Sequence, residues 1–326
     1  RLSKRLPNSQ IGLLMRPVAR PVARPEARPV ANPTPPRLKD VMRVIGGIGR
    51  VLVTIGLLTL SFAAYQLWGT GLYEARAQDS LKQDFAKGLK TTSPTSPNPA
   101  KPETKPLPIP SGDAIAIISI PSIGVEHAVV QGVRRSDLRK APGHYPNTPL
   151  PGELGNSAIA GHRTTYGAPF GRLDELRPGN LIQIRTATGE FRYSVTETII
   201  VRPTELSVLN ATPTATLTLT TCHPRFSAAR RLVVRASLVL ESSAPVSKAP
   251  TIIPDVSDTT LDGPEGESDL RGTITWGVAT LIVGLGWWAA FRKRRVWQVR
   301  FGGFIPFAIV CFVWFGYLDR ALPGNY

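Results

Sequence analysis

Thr218-Leu219-Thr220-Thr221-Cys222-His223-Pro224-Arg225-Phe226-Ser227-Ala228-Ala229-Arg230-Arg231-Leu232-Val233-Val234 holds two strand-like runs joined by a short polar segment. β-Branched residues suit a pleated, half-buried surface, so each run reads as a strand. Cys222 ends the first run, and Arg231 begins the second nine residues later. A hairpin-like connection over His223–Arg230 would bring both residues to one rim. The only other cysteine, Cys311, lies in the apolar run Ile309-Val310-Cys311-Phe312-Val313. The two cysteines sit in such different settings that a disulfide between them is not expected, which leaves Cys222 as a free thiol.

Similar short runs recur at Ala114–Ile120, Val125–Gly132, Ser157–Ala160, Leu181–Arg185, Arg192–Val201, Thr216–Thr221 and Leu232–Leu240. Turn signals such as Pro121-Ser122, Pro151-Gly152 and Pro178-Gly179 separate them. Many short strands with few helical stretches argue for a mostly β fold, an antiparallel barrel or sandwich. A short helix is expected near Phe170–Leu176, where Leu173 and Leu176 can share a face. The folded domain is expected over residues 113–241.

Three apolar segments lie outside this domain. Residues 44–68 carry charge only at Arg50 and end in Tyr65 and Trp68. Residues 274–291 and 301–318 are equally apolar and show no polar face. At 1.5 Å per residue the first is long enough for a hydrocarbon core of about 30 Å, and the other two, lacking a polar face, are expected to span the membrane as a hairpin. The net charge of +16 is concentrated beside these segments. Half of it falls in residues 1–43, and a further cluster is Arg292, Lys293, Arg294, Arg295 and Arg300. Basic residues placed this way set membrane orientation, so membrane lipid is the expected partner of the charge and nucleic acid is not.

One arrangement satisfies these signals. Residues 1–43 form a disordered, Arg/Pro-rich cytoplasmic tail, and residues 44–68 a membrane helix. Residues 69–112 form an extracellular stalk and proline-rich linker. The domain at 113–241 is extracellular, and 242–273 is a polar linker. Helices at 274–291 and 301–318 flank a basic cytoplasmic turn at 292–300, and 319–326 is a short extracellular tail.

The chemistry follows from residue types. A free thiol has a pKa of about 8.5, so a nucleophilic cysteine needs a histidine or cationic partner. Acyl transfer puts negative charge on the carbonyl oxygen, which a guanidinium can bind. The leaving amine needs a proton, which an imidazolium can give. Cys222, Arg231 and His162 supply these functions if the fold brings them together; His162 follows the strand-like Ser157–Ala160.

These residues resemble the active-site signature of sortases, membrane-anchored cysteine transpeptidases. Thr218-Leu219-Thr220-Thr221-Cys222 with Arg231-Leu232-Val233-Val234 resembles the paired TLxTC and RxxV strands, and Gly155–Arg163 resembles the loop carrying the family's histidine. The resemblance implies a closed eight-stranded barrel with short helices. It also implies roles: Cys222 as nucleophile, His162 as general acid/base and Arg231 as oxyanion stabiliser. Cys222–Ala228 and Gly143-His144-Tyr145 are most similar to class E sortases of high-GC Gram-positive bacteria. The implied reaction cleaves a Leu-Ala-x-Thr-Gly or Leu-Pro-x-Thr-Gly sorting signal between Thr and Gly. The acyl group then passes to an amine of a peptidoglycan precursor. The implied partners are secreted proteins carrying such signals, and the implied place is the cell membrane with the domain outside.

Two features depart from class C pilin polymerases: no Asp-Pro-aromatic triplet occurs in residues 73–112, and Ser227-Ala228 stands where an Asn is common. A hydrolytic cysteine protease with the same site, a class C-like polymerase and a non-catalytic surface-binding module are the alternatives. Arg230 would face away from its neighbour Arg231, and His223 away from the sulfur. His144, Tyr145, Thr220 and Thr221 are candidate substrate contacts, and His127 reads as a surface strand residue. No cofactor is expected, and no metal, since Glu126, Asp137, Glu153 and Asp174 form no dense carboxylate cluster in the sequence.

Overall fold

The computed structural model describes residues 38–91, 109–247, 261, 269–291 and 297–322. The remaining parts of the expected tail, linkers and basic turn lie outside the described residues. The chain divides into two compact units, Arg1–Thr54 and Ile55–Tyr326. The described part of the first is the opening of a helix whose Val44, Ile45, Ile48, Val51 and Leu52 are exposed.

That helix is Leu38–Ala64 (α1); a π-helical turn, Tyr65–Gly69, leads into Thr70–Thr91 (α2). Arg135–Leu138 (α3) is a single turn, and Leu270–Phe291 (α4) and Trp297–Ala321 (α5) end the chain. The spans Met42–Leu89, Leu270–Phe291 and Phe304–Ala321 each contain a window apolar and long enough to cross a membrane. α4 and α5 pack closely through small residues. A Cβ on Gly272 would lie 2.5 Å from the Tyr317 ring, and one on Gly284 would lie 3.0 Å from Phe307.

The strands are Ala114–Ile120 (β1), Val125–Gln131 (β2), Gly143–His144 (β3), Asn156–Ala160 (β4), Leu181–Thr186 (β5), Glu190–Val201 (β6), Thr216–His223 (β7) and Arg230–Leu238 (β8). They close into a barrel in the order β1-β2-β3-β4-β7-β8-β6-β5. Most neighbours are antiparallel, but β2–β3 and β4–β7 run parallel. Closure is made by β1 against β5, with Ile118 opposite Ile184. Ile118, Ile159, Ile182, Leu217, Leu219, Val234 and Tyr193 fill the interior. Phe170, Leu173 and Leu176 join them, although the expected short helix is only a 3₁₀ turn at Leu173–Glu175. Fully burying an aliphatic or aromatic side chain contributes about 1.5–3 kcal/mol, so this cluster dominates the barrel's stability.

The first part of the expected stalk lies against the barrel. Thr70, Glu74, Gln78 and Phe85 share one face of α2 and are buried. The spacing is helical, but three of the four are polar, so no apolar stripe announces the face. Its polarity has a purpose at the sheet. β3 is two residues long and leaves part of β2 uncovered. The Gln78 carboxamide takes a strand's place there: Ala128 N–H donates to Oε1 at 2.7 Å, and Nε2 donates to Ala128 O at 3.2 Å. His127, read as a surface residue, meets Glu74 at 3.0 Å because α2 covers it.

His144 lies fully inside this region, with Nδ1 2.9 Å from Gln131 Oε1 and Nε2 2.8 Å from Pro149 O. Burial lowers its pKa from 6.5 to about 4, against the raising effect of the Pro149 carbonyl. The unfolded chain therefore binds the proton first as pH falls. The contribution is fully present above pH 6.5 and is lost on descent toward pH 4, by about 3 kcal/mol. Denaturant midpoints of the full chain should fall over this window, and less steeply in His144→Gln. An unchanged slope in that variant would assign the acid sensitivity elsewhere.

Candidate active site

The positions of the three candidate residues follow from strand register. Cys222 stands directly opposite Arg231 across the antiparallel β7–β8 pair. β4 runs parallel to β7 with Ala160 beside Thr220. Gly161 N–H donates to Thr220 O at 3.1 Å, and Thr221 Oγ1 donates to Gly161 O at 2.7 Å. These bonds carry the alignment past the end of β4, so His162 comes level with Cys222. Ile159, Leu217, Leu219, Leu232 and Val234 point into the barrel. By strand alternation the residues between them face outward, and Cys222, Arg231 and His162 continue that outward set.

Gly161 is required at its position by close approach. A Cβ there would come within 2.6 Å of the Phe170 ring, which is itself fully buried. Phe170 N–H donates to His162 O at 3.1 Å, so the same residue anchors the loop by its backbone. On the other side, His162 Nδ1 lies 3.3 Å from Thr165 Oγ1, and its ring packs against Tyr166 at 5.0 Å between centroids.

Cys222 and His162 line one cavity of about 430 Å³. Arg163, Thr165 and Phe226 are also on the barrel side, and Phe226 is 74% exposed at the rim. The opposite wall comes from the end of α1 and the π turn, through Phe62, Ala63, Gln66 and Leu67. Cys222 and His162 thus face a mostly apolar helix end across an open space.

Cys222, His162 and Arg231 are 6%, 3% and 3% exposed. Burial raises the Cys222 pKa, while the charges of Arg231 and Arg163 lower it. Burial also lowers His162, to about 3, aided by the positive charges of Arg139 and Arg135. Thiol and imidazole are therefore both neutral at neutral pH, and a thiolate forms only when the proton moves. Arg231 Nη1 donates to Ala228 O at 2.8 Å and Arg230 O at 2.9 Å, which fixes its guanidinium at the turn. Arg230 itself is exposed.

Arg163 directly follows His162, and no role for it is expected from the sequence, yet it is built into the site. Its Nη1 donates to Cys222 O at 3.0 Å and lies 3.0 Å from His223 Nδ1, while Nη2 pairs with Asp174 at 3.0 Å. His223 is thus occupied with Arg163. The sequence signal was an arginine directly after the histidine; its partner Asp174 comes from a turn that only the fold brings near.

The expected substrate contacts are placed differently. Among the described residues, the cavity wall does not include His144, Tyr145, Thr220 or Thr221. All four are buried and tied into internal hydrogen bonds. Tyr145 Oη donates to Leu261 O at 2.8 Å and lies 3.1 Å from Thr220 Oγ1, and Thr221 is spent on Gly161. Asp137 hydrogen-bonds Ser111, Glu153 accepts from Leu150 N–H and Glu126 pairs with Lys82.

Residues 118–239 match the family model described as "Sortase domain". The chain is 32% identical over 182 residues to Sortase D of Bacillus subtilis, covering 53% of this chain and 86% of that protein. It is 32% identical over 215 residues to Sortase SrtE1 of Streptomyces coelicolor, covering 60% of this chain and 57% of that protein's length. Among solved structures, a Clostridium perfringens Sortase D5 transpeptidase aligns at 32% identity and a TM-score of 0.42, over 51% of this chain and 98% of that one. Sortase E1 from Streptomyces coelicolor, with a tripeptide in its active site, aligns at 29% identity and a TM-score of 0.39, over 41% and 91%. With the domain matched from β1 through β8 and most of a curated sortase covered, this chain belongs to the sortase family.

Proposed function

We propose that this protein is a membrane-anchored cysteine transpeptidase that joins sorting-signal proteins to a cell-wall amine. The observation that carries the reading is the register: Cys222 opposite Arg231 across β7–β8, with His162 carried level with them from β4. Cys222 attacks the Thr carbonyl carbon of a Thr–Gly bond, its thiol proton passing to His162. Arg231 stabilises the oxyanion. The imidazolium then gives its proton to the leaving glycine amine, and a thioester remains on Cys222. An incoming amine gives a proton to His162 and displaces Cys222, forming a new peptide bond.

The class E-like sequence after Cys222 supports a Leu-Ala-x-Thr-Gly signal, although relatives named both E and D match at the same identity. The three apolar helices and their basic flanks support an outward-facing domain with residues 1–43 and 292–300 on the cytoplasmic side.

The test incubates detergent-solubilised full chain with a Leu-Ala-x-Thr-Gly peptide, with and without excess diglycine, and reads products by mass spectrometry. The reading expects a peptide–diglycine product. Hydrolysed peptide with no transfer product would favour the protease alternative.

A further inference from the structure

The loop that carries His162 is held by the last membrane helix. Tyr166, whose ring packs on His162, donates its hydroxyl proton to the Asp319 carboxylate near the end of α5. Asp319 also accepts from Gln66 Nε2 at 2.8 Å, and Arg139 stands 3.9 Å away, with its guanidinium 5.9 Å from the Tyr166 ring centroid. Asp319 and Arg139 are only 12% and 17% exposed, so their contacts are little screened by water. Next along the chain, Leu322 O accepts from Arg135 Nη2 at 2.6 Å. The N-terminal side closes on the same point, for Tyr166 N–H donates to Thr70 Oγ1 at 3.0 Å. Tyr166 has φ +50°, a conformation a tyrosine rarely adopts, and its hydroxyl and amide are both anchored from outside the barrel.

We propose that Asp319 is a positioning residue for the transpeptidation reaction, acting through Tyr166 to hold the His162 ring against Cys222. This rests on the reading of His162 as the acid/base. The carboxylate touches neither Cys222 nor His162; it fixes the phenol on which the imidazole leans. The C-terminal membrane hairpin is then part of the catalytic apparatus as well as a tether. A charged acceptor at a part-buried hydrogen bond shared by two donors is a kind whose loss is strongly felt.

The full chain in lipid nanodiscs provides the test, with Asp319→Asn, Tyr166→Phe and the double variant assayed for kcat and KM beside His162→Ala. Each single variant is expected to lower kcat about ten-fold with KM within about two-fold, and the double variant to lose no more than either single. A loss through loosened packing would instead raise KM or add across the pair. Wild-type kcat in Asp319→Asn, with His162→Ala inactive, would overturn the positioning role and leave the site reading standing. An active His162→Ala would remove the site reading on which the proposal depends. Should Asp319→Asn fail to fold, Tyr166→Phe decides alone, because it keeps the ring and removes only the hydroxyl; wild-type kcat in that variant overturns the proposal.

Discussion

Cys222→Ala is expected to lose transpeptidation by roughly 10⁴-fold or more, the scale seen when an acyl-transfer enzyme loses its nucleophile. The sulfur lies on the wall of the cavity that it shares with His162. Substitution by alanine removes one atom from a buried site at the end of β7, so folding should survive, and unchanged thermal unfolding would establish that. The other cysteine, Cys311, lies in α5 and does not line the cavity. Cys311→Ala should therefore leave the rate intact. Turnover by Cys222→Ala at even a hundredth of the wild-type rate would require another nucleophile.

Arg231→Ala is expected to lower kcat/KM by roughly 10² to 10³, the range for loss of one oxyanion donor. Two effects combine. Its guanidinium is held at the turn by Ala228 O and Arg230 O, directly across from Cys222, so a developing oxyanion meets a donor that need not move. Its charge also offsets part of the burial that raises the Cys222 pKa. Alkylation of Cys222 at neutral pH should therefore slow in the same variant, which a purely steric role would not produce. Lysine should rescue poorly, because one ammonium cannot both hold the two carbonyls that Nη1 satisfies and offer a second, planar set of donors to the oxyanion. Near-normal turnover in Arg231→Ala would move the role to Arg163, which donates to Cys222 O and is the other positive charge acting on the thiol.

The placement of Cys222 opposite Arg231 was legible because it depends on strand periodicity. β-Branched runs marked β7 and β8, and the short join between them forced Cys222 and Arg231 to meet. Seven of the eight strands had such runs. β3 did not, since two residues carry no alternation, and its pairing arises only once β2 and β4 are in place. His144 and Tyr145 resembled site residues by type, a histidine and a phenol in a loop. Their polar atoms instead satisfy buried partners, which residue type cannot reveal. α2 was missed as a docked helix because its buried stripe is polar and answers an uncovered strand. Arg163 and Asp319 depend on contacts across long sequence separations, 59 residues to Cys222 and 153 to Tyr166, for which no local pattern exists.

Intact-mass spectrometry of the rapidly quenched full chain, mixed with a Leu-Ala-x-Thr-Gly peptide and no added amine, decides whether Cys222 carries the acyl group. A single adduct is expected, equal in mass to the peptide's acyl fragment through Thr, located on Cys222 by peptide mapping and discharged by diglycine. Product formation with no such adduct, or an adduct on any other residue, would contradict that role.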